Sequence, residues 1–356
     1  MQEYIEFIVK LVYDTPSAVS NAKRLIFTGL AHMELVYFRI VFQQKMRKQM
    51  ESYMEQSTYH ELAKIIPQER IRTEEPMSRH TTFKVGGPAE VLVMPKTFDE
   101  VKKTVNLCRT RNISYYIVGN GSNLLVSDQG YRGIVIQIGK EFGDIRVEGD
   151  VVTAQAGVLL SVAANKAMEE GLTGLEFASG IPGTLGGACV MNAGAYGGEM
   201  KDVLTEFTVL TQEGDIVRIP SQQMELGYRT SVAARKGYIV LEARMQLQKG
   251  DRQEIRAKME ELKEKRVSKQ PLEYPSAGST FKRPEGYFAG KLIQDAGLRG
   301  FTVGGAQVSE KHCGFVINRG DATARDVADL MSQVSEIVEE KFGVRLEPEV
   351  RRLGEF

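Results

Sequence analysis

The sequence has little with which to build a metal site or a disulfide framework. Its three cysteines, Cys108, Cys189 and Cys313, are scattered, and none belongs to a Cys-x-x-Cys pair. The four histidines are equally dispersed, which argues against metal catalysis, and we expect no bound metal. This cysteine usage is typical of a reduced intracellular protein and predicts a cytoplasmic location.

Net charge is also lacking. The chain has 46 basic and 46 acidic residues, so its formal charge is zero. No global field draws such a protein to nucleic acid or to an acidic membrane, although a local basic site for an anionic substrate remains open. We expect a small-molecule substrate, no nucleic acid, no membrane association and no obligate protein partner.

A long uninterrupted apolar run is missing as well. The most apolar stretch, residues 25–42, is broken by His32, Glu34 and Arg39, which disfavours a transmembrane span. Charges and the lack of a small-residue cleavage site disfavour a signal peptide. We interpret residues 1–55 as a helical extension that function does not need, with Met54 as a natural alternative start. A helix on a membrane surface is the alternative.

Beyond residue 76, strand and helix patterns alternate. Residues 91–94 read as a strand, and Thr97 with Glu100 predicts a capping box before an amphipathic helix. Residues 145–147 and 151–153 flank a turn and predict a hairpin. Residues 287–296 predict a helix, and Thr323 begins a longer one. A chain of 356 residues with this pattern suits two or three packed domains.

Glycine is abundant, at 35 of 356 residues, and it clusters at 119–121, 180–198 and 286–305. The first cluster, Gly119-Asn120-Gly121-Ser122-Asn123, follows a strand, as a dinucleotide fingerprint does. No glycine follows Gly121 by three residues, and residues 124–126 continue as a strand, which argues against a nicotinamide-type Rossmann site. A loop that offers backbone N–H groups to a pyrophosphate is the functional reading, and a bare turn is the structural one.

The second cluster is more informative. Ser179 to Ala188 contains Pro182 and several glycines that leave backbone amides unobstructed, and Met191 to Gly197 extends the small-residue surface. Such a surface suits phosphates and a flat ring system, whereas tight strand packing is the structural alternative.

These segments resemble the flavin-binding segments of the UDP-N-acetylenolpyruvoylglucosamine reductase family, which belongs to the vanillyl-alcohol-oxidase-like flavoproteins. Further matching motifs occur in family order and extend the resemblance over about residues 71–353: His80 to Gly87, Tyr228-Arg229-Thr230-Ser231, Ala277 to Lys282, and Leu346 to Arg351. Residues 1–53 have no counterpart.

The resemblance implies an α+β fold, in which a PCMH-type two-subdomain α/β unit precedes a C-terminal α+β substrate-binding domain. The expected division is an extension at 1–55, FAD-binding subdomains at 56–133 and 134–249, and a substrate-binding domain with a catalytic tail at 250–356. It also implies noncovalent FAD, held by Gly119, Asn120, Gly121, Ser122, Asn123, Gly180, Ile181, Pro182, Gly183, Gly186, Gly187, Asn192, Gly194 and Ala195.

The implied reaction is the reduction of UDP-N-acetylglucosamine enolpyruvate to UDP-N-acetylmuramate, with NADPH as co-substrate, in peptidoglycan precursor synthesis. By resemblance, Ser279 donates a proton to the enolate carbon, Arg229 binds the substrate carboxylate, and Glu349 completes the site. From the residues alone, Ser279 could be a turn serine, Arg229 a surface ion-pair partner and Glu349 a solvated residue of a polar tail. If the tail is extended, Glu347 would share a face with Glu349.

Tyr228, Lys269, Lys282 and Arg351 are further substrate-binding candidates, the cations for the diphosphate or uridine. Only about fifty residues separate Arg229 from Ser279, so the chain is similar to the shorter type in the family, without a tyrosine-bearing loop over the diphosphate.

Two other functions remain open. One is another FAD-dependent oxidase or dehydrogenase on the same scaffold, in which His80 or Cys189 could attach the flavin covalently. The other is a nonenzymatic flavin- or nucleotide-binding protein, which would have no use for Ser279, Arg229 and Glu349 together.

Overall fold

The computed structural model describes residues 58–356, whose helices and strands build three main sheets. The extension predicted at residues 1–55 lies outside the described residues. Residues 62–356 form one unit, and the site described below lies wholly within it.

The helices of that unit are α1 (Phe98–Thr110), α2 (Leu160–Glu169), α3 (Leu185–Met191), α4 (Val232–Lys236), α5 (Arg252–Lys269), α6 (Ala289–Asp295) and α7 (Ala324–Phe342). Its strands are β1 (Ile71–Pro76), β2 (Pro88–Val93), β3 (Tyr115–Val118), β4 (Leu124–Val126), β5 (Tyr131–Gln137), β6 (Ile145–Glu148), β7 (Val151–Gln155), β8 (Leu172–Thr173), β9 (Gly194–Ala195), β10 (Gly198–Glu199), β11 (Leu204–Leu210), β12 (Ile216–Pro220), β13 (Ile239–Gln246), β14 (Gln248–Lys249), β15 (Ser276–Ser279), β16 (Thr302–Val303), β17 (Ala306–Val308), β18 (Phe315–Asn318) and β19 (Arg351–Leu353).

The first sheet has the strand order β1-β2-β5-β3, in which β5 runs parallel to both β2 and β3. Helix α1 begins at Thr97, whose side chain accepts a hydrogen bond from the Glu100 N–H at 3.2 Å. The predicted capping box is only half formed, because the Glu100 carboxylate accepts instead from the Lys96 N–H and from Arg70. An arginine distant in sequence therefore takes the side chain that the local motif assigned to the cap.

The second sheet is antiparallel throughout, in the order β12-β11-β13-β7-β6. The predicted hairpin is confirmed, since β6 and β7 pair Glu148 with Val151 across the turn. Helix α3 packs on β13, and this packing fixes the glycine-rich segment before it against the sheet.

The third sheet, in the order β15-β18-β17-β16, packs with α6 and α7 around a separate apolar core. The long predicted helix is confirmed as α7. Thr323 and Asp326 form a complete capping box, and Gly343 ends the helix in a left-handed conformation. Its buried face supplies Val327, Leu330, Met331, Val334 and Val338, each worth about 1.5–3 kcal/mol of burial free energy.

One feature of this third region differs from the sequence prediction, and a second was not predicted at all. The helix predicted at 287–296 begins only at Ala289, because Phe288 is extended and carries the Arg283 guanidinium over its ring at 4.0 Å. After α7 the chain returns to the first region, where β19 pairs in parallel with β4. That return brings the tail beside the first glycine loop.

Candidate active site

The first glycine loop, residues 119–123, links β3 to β4 and is held closely by its neighbours. Gly121 has φ of +62°, and a Cβ at that position would lie 2.0 Å from the His80 carbonyl oxygen. Both observations require glycine here. The prediction that residues 124–126 continue as a strand is confirmed, whereas the first glycine loop of a Rossmann fingerprint opens a helix.

The two glycine-rich segments contact each other. Asn120 Nδ2 donates to the Pro182 carbonyl at 2.6 Å, and a Cβ at Gly119 would lie 2.2 Å from Thr184 Oγ1. Asn120 therefore ties the first loop to the turn that precedes α3. Together, residues 119–123 and 180–187 form one surface, which we call the glycine cradle.

Some glycines of the cradle leave space, whereas others allow packing. A Cβ at Gly183 or Gly187 would meet no atom closer than 3.6 Å, so these positions expose open backbone. A Cβ at Gly186 would lie 2.7 Å from Ala156 Cβ, and one at Gly194 would lie 2.7 Å from the Gly198 carbonyl oxygen. Gly186 and Gly194 thus have packing reasons to be glycine, independent of any ligand.

The cradle also has unused hydrogen-bond donors. Within residues 58–356, the backbone N–H groups of Asn120, Gly121, Ser122, Gly183 and Gly187 donate to no protein acceptor. Open space beside a row of free N–H groups suits an anionic, flat ligand with phosphates. The residues present therefore fit FAD, whose diphosphate needs such donors.

Asn192 connects the cradle to the next part of the site. It ends α3 in a left-handed conformation and is nearly fully buried. Its side-chain Nδ2 donates to Glu199 at 2.5 Å and to the Gly227 carbonyl at 3.3 Å, and its Oδ1 accepts from the Lys201 N–H. Because these contacts use the whole amide, Asn192 positions the following loop.

Gly227 and Thr230 bracket a tight turn with Tyr228 and Arg229 at its tip. Arg229 adopts a φ of +54°, which is rare for a residue with a side chain and marks a constrained backbone. Next to the turn, buried Ser231 caps α4 and donates to the Val190 carbonyl at 2.9 Å. The turn is thereby anchored to α3, whose first residues belong to the cradle.

Arg229 meets Glu349 at the centre of the site. The Arg229 Nε and Glu349 Oε1 atoms lie 2.6 Å apart, although the N–H does not point along that line, so the contact is an undirected ion pair. Burial raises the pKa of Glu349, and the charges of Arg229 and Lys282 oppose that shift. Among the described residues, no acceptor pairs with the two Nη groups of Arg229, so they are available to a carboxylate ligand.

Ser279 ends β15 and is exposed to solvent. Its neighbour Thr280 is fully buried, with the hydroxyl accepting from the Val316 N–H at 2.9 Å and the carbonyl accepting from the Glu349 N–H at 2.8 Å. These bonds fix β15 beside the tail and leave the Ser279 hydroxyl at the surface.

The predicted catalytic residues line one cavity of about 440 Å³. Its walls come from the turn, from β15, from α6 and from the loop before β18: Tyr228, Arg229, Ser279, Phe281, Arg283, Phe288, Ala289, Gly290, Lys291, Gln294, Lys311, His312, Cys313, Gly314 and Glu349. The glycine cradle adjoins this cavity, because Asn123 donates to the Glu349 carbonyl at 3.1 Å. A cofactor site and a side-chain site thus share a border.

Of the weaker substrate-binding candidates, Tyr228 lines the cavity, whereas the three cations lie elsewhere. Lys282 pairs with Glu347 at 2.9 Å, Lys269 is exposed at the end of α5, and Arg351 is exposed in β19. None of the three lines the cavity. Glu347 and Glu349 do not share an environment, with 70% and 10% of their side chains exposed, because the tail bends and is not a regular strand there.

Sequence reasoning missed His312, Arg283 and Phe288. His312 is half-buried in the cavity wall, and its Nδ1 accepts from the Gly314 N–H at 3.1 Å, so the neutral ring carries its proton on Nε2. Burial lowers its pKa, which favours that neutral form. No local motif marks these residues, since a fold contact brings each of them to the cavity.

Of the two candidates for covalent flavin attachment, Cys189 is buried and His80 contacts a carboxylate. Cys189 is fully buried inside α3, and burial raises the pKa of its thiol to about 12. His80 lies 2.9 Å from the buried Glu75 carboxylate. Neither is presented as a free nucleophile.

Across residues 58–356, no group of three or more His, Cys, Asp or Glu side chains is arranged to hold a metal ion. The helices of this range are all too short or too polar to cross a membrane.

Comparison with known proteins identifies relatives of both halves of this site. A family model described as FAD binding domain matches residues 89–220. A second, described as UDP-N-acetylenolpyruvoylglucosamine reductase, C-terminal domain, matches residues 270–353. The chain is 54% identical over 297 residues to the UDP-N-acetylenolpyruvoylglucosamine reductase of Alkaliphilus oremlandii, covering 83% of this chain and 98% of the relative. It is 56% identical over 299 residues to that of Lachnoclostridium phytofermentans, covering 83% and 96%.

A crystal structure of UDP-N-acetylenolpyruvylglucosamine reductase from Thermus caldophilus superposes with a TM-score of 0.69 at 37% identity. That match covers 80% of this chain and 100% of the other. These similarities confirm the predicted α+β fold class, with an FAD-binding unit followed by a C-terminal domain.

Proposed function

The chain belongs to the UDP-N-acetylenolpyruvoylglucosamine reductase family, and we propose that it reduces UDP-N-acetylglucosamine enolpyruvate to UDP-N-acetylmuramate. The observation that carries the proposal is the convergence of Arg229, Glu349 and Ser279 on one cavity that borders the glycine cradle. A nonenzymatic binding protein would need the cradle alone.

Residues 119–123 and 180–187 would hold FAD, and the bound cofactor would supply the redox chemistry, the passage of a hydride equivalent from NADPH to the β-carbon of the enolpyruvyl group. The protein holds the cofactor through the free N–H groups of the cradle, which suit its diphosphate. The loop tie between Asn120 and Pro182 keeps those donors in place before the cofactor binds.

Arg229 binds the enolpyruvyl carboxylate in this proposal. Its Nε contacts Glu349, and its two Nη groups match a carboxylate bidentately. The constrained backbone of Arg229 aims the guanidinium from the tip of a short turn, which reduces the entropy lost on binding. Glu349 holds the guanidinium, and its raised pKa lets it act as a hydrogen-bond or acid partner near the developing enolate.

Ser279 donates the proton that completes the reaction. A hydroxyl is a weak acid, so it serves only a strongly basic acceptor, and the α-carbon of an enolate is such an acceptor. Water cannot replace it easily at a carbon that is shielded by cofactor and protein. His312, with a proton on Nε2, offers a neutral donor to another part of the bound substrate.

The site belongs to a cytoplasmic step of peptidoglycan precursor synthesis in this proposal, with a soluble nucleotide sugar as the only partner besides NADPH. The reductant, NADPH, is assigned from the family.

Anaerobic spectroscopy tests the proposal directly. Purified protein should be yellow with FAD that heat releases. NADPH should bleach the flavin, and the enolpyruvyl substrate should restore its absorbance. A flavin that stays with the precipitate after acid treatment, or that an alcohol or hydroxy acid reduces, would favour another oxidase or dehydrogenase. A colourless protein that FAD cannot reconstitute would refute the proposal.

A further inference from the structure

The side chain of Ser279 faces the cavity because β15 contains a bulge. Ser276 pairs with Ile317 of β18 and Ser279 pairs with Phe315, so two residues of β15 lie opposite one residue of β18. Such a bulge bends the strand and redirects the side chains beside it. The direction of Ser279 therefore depends on the contacts that hold the bulge in place.

The burial of the strand residues shows this change of direction. On a regular strand, Ala277 and Ser279 would face the same side, because they are two residues apart. Ala277 is buried, whereas Ser279 is exposed and lines the cavity. Gly278 between them has a φ of +75°, a left-handed conformation that favours glycine. A strand without the bulge would turn Ser279 toward the core that Ala277 occupies.

Thr280 holds the bulge with its side chain. The residue is fully buried, and its hydroxyl accepts a hydrogen bond at 2.9 Å from the N–H of Val316, the β18 residue opposite the bulge. The Thr280 N–H donates to the Gly314 carbonyl at 2.9 Å. Loss of the hydroxyl would leave the buried Val316 N–H without this acceptor, which favours any rearrangement of the strand that supplies another one.

The carbonyl of Thr280 also holds the tail. It accepts a hydrogen bond from the Glu349 N–H at 2.8 Å. The Glu349 carbonyl in turn accepts from Asn123 of the glycine cradle at 3.1 Å. Thr280 therefore fixes the position of the strand end that carries Ser279 relative to the tail that carries Glu349.

We propose that Thr280 is a positioning residue for the protonation step. Its hydroxyl keeps the bulge that directs Ser279 into the cavity, and its carbonyl keeps Glu349 beside that serine. Thr280 itself does not line the cavity, so it acts through Ser279. The assignment rests on the proposed function, in which Ser279 donates the proton to the α-carbon.

Single-turnover kinetics of the two half-reactions test this assignment. Thr280→Val keeps the shape but loses the acceptor, whereas Thr280→Ser keeps the hydroxyl. The matched control is Thr104→Val, because Thr104 is fully buried in α1 and its hydroxyl has no hydrogen-bond partner among residues 58–356. Reoxidation by the enolpyruvyl substrate should slow about 10–100-fold in Thr280→Val, since small displacements of a catalytic group have effects of this size. Thr280→Ser should recover most of that loss, and Thr104→Val should show none.

Three further measurements separate positioning from a general loss of structure. Reduction of the flavin by NADPH and the Kd of the substrate for the oxidised enzyme should not change in Thr280→Val, because neither uses the proton. The solvent deuterium isotope effect on reoxidation should increase, because a misplaced donor makes proton transfer limit the rate. In a Ser279→Ala background, Thr280→Val should have little further effect, because the hydroxyl that it positions is absent.

The opposite results overturn the assignment. These are an unchanged reoxidation rate in folded Thr280→Val, equal slowing of both half-reactions, or a full additional effect in the Ser279→Ala background. If Thr280→Val does not fold, Thr280→Cys decides, because a thiol is only a weak acceptor. Reoxidation slower than in Thr280→Ser would then support the assignment, and equal rates would overturn it. A wild-type protein whose reduced flavin is not reoxidised by the enolpyruvyl substrate would refute the proposed function together with this assignment.

Discussion

The glycine cradle and the cavity lined by Arg229, Ser279 and Glu349 offer different groups to a ligand: backbone in the first and side chains in the second. The cradle works by what is missing, since its small residues leave space and free N–H groups at Gly183 and Gly187. In the proposed function the cavity binds through side chains that project from a turn, a strand end and a tail, namely Arg229, Ser279 and Glu349. Adding atoms should therefore damage the first, and removing atoms should damage the second.

Removal of one hydroxyl oxygen from the cavity should have the largest effect on the reaction. Ser279→Ala should slow reoxidation of the reduced flavin by the enolpyruvyl substrate by about 10²–10⁴-fold. Flavin binding and reduction by NADPH should persist, because neither step uses that proton. Single-turnover absorbance of the two half-reactions measures both rates, and Ser279→Cys should retain more activity than Ser279→Ala. If flavin reduction is the slower half, or if neither half slows, Ser279 has a structural role.

Adding one carbon to the cradle is the converse test. Gly121→Ala places a Cβ against the His80 carbonyl in a left-handed conformation, and should destabilise the protein by about 2–4 kcal/mol. Gly183→Ala meets no protein atom closer than 3.6 Å, so it should keep the stability of the flavin-free protein and weaken FAD binding about tenfold or more. Denaturant unfolding and flavin titration separate the two variants. A Gly183→Ala protein with normal FAD affinity would remove Gly183 from the flavin site.

A lysine in place of Arg229 tests whether the guanidinium binds the substrate carboxylate through two hydrogen bonds. Arg229→Lys keeps a cation beside Glu349 but loses bidentate geometry, so the KM for the enolpyruvyl substrate should rise about tenfold. Flavin reduction should be unaffected. Arg235→Lys, in nearby α4 and ion-paired with Glu225, is the matched control and should behave as the wild type. An unchanged KM in Arg229→Lys would argue against a bidentate contact.

Glu349 and Glu347 should respond to pH in opposite directions. Burial raises the pKa of Glu349, so the native protein holds that proton more tightly than the unfolded chain. Stability contributed by this group therefore falls as pH rises from about 4.5, its ordinary value, through the native value. The free energy of unfolding of Glu349→Gln, relative to wild type, should rise over that window and then remain constant.

For exposed Glu347, Lys282 lowers the pKa, so its contribution is present above about 4.5 and is lost as pH falls. Glu347→Gln should accordingly lose stability relative to wild type as pH rises toward that value, with a small amplitude because the pair is exposed. Urea unfolding of the three proteins between pH 3.5 and 8 checks both signs. Parallel curves for the two variants would mean that burial of Glu349 does not govern its titration.

The smallest effect should come from the largest deletion. A protein that starts at Met54 should keep the FAD content and turnover of the full chain, because the relatives match over about 300 residues that include nearly all of their own length. Steady-state kinetics with NADPH and the enolpyruvyl substrate measure this. Loss of flavin or of turnover on truncation would give the extension a function.

Helix α7 and the β6–β7 hairpin were predicted correctly, because residues close in sequence determine where each begins and ends. Thr323, a period-3.6 apolar face and Gly343 define α7 at both ends, and a short turn defines the hairpin of β6 and β7. Predictions failed where another side chain competed with the local pattern. Glu100 left its predicted cap for Arg70, and Phe288 stayed extended beneath Arg283. Arg70 lies 30 residues from Glu100, and the contact between Arg283 and Phe288 does not follow the spacing of a helix face or of a strand face.

The candidate site shows the same division. Family motifs indicated Arg229, Ser279 and Glu349, and the fold brings all three to one cavity. Lys269 and Arg351 were chosen for charge and for closeness to a motif along the chain, which says nothing about the direction of a side chain. His312 had no motif, and its place in the cavity wall becomes visible only when the fold is known.

The contact between Asn123 and Glu349 spans 226 residues of sequence, and β4 receives β19 from the same distant tail. Pairings of such separation form late, because a large loop must close before the contact stabilises anything. During synthesis the first glycine loop leaves the ribosome long before the tail that completes its border. On the ribosome the cradle and the cavity consequently cannot share a border until the tail has been made, so a nascent chain without that tail has its flavin segments but an incomplete site.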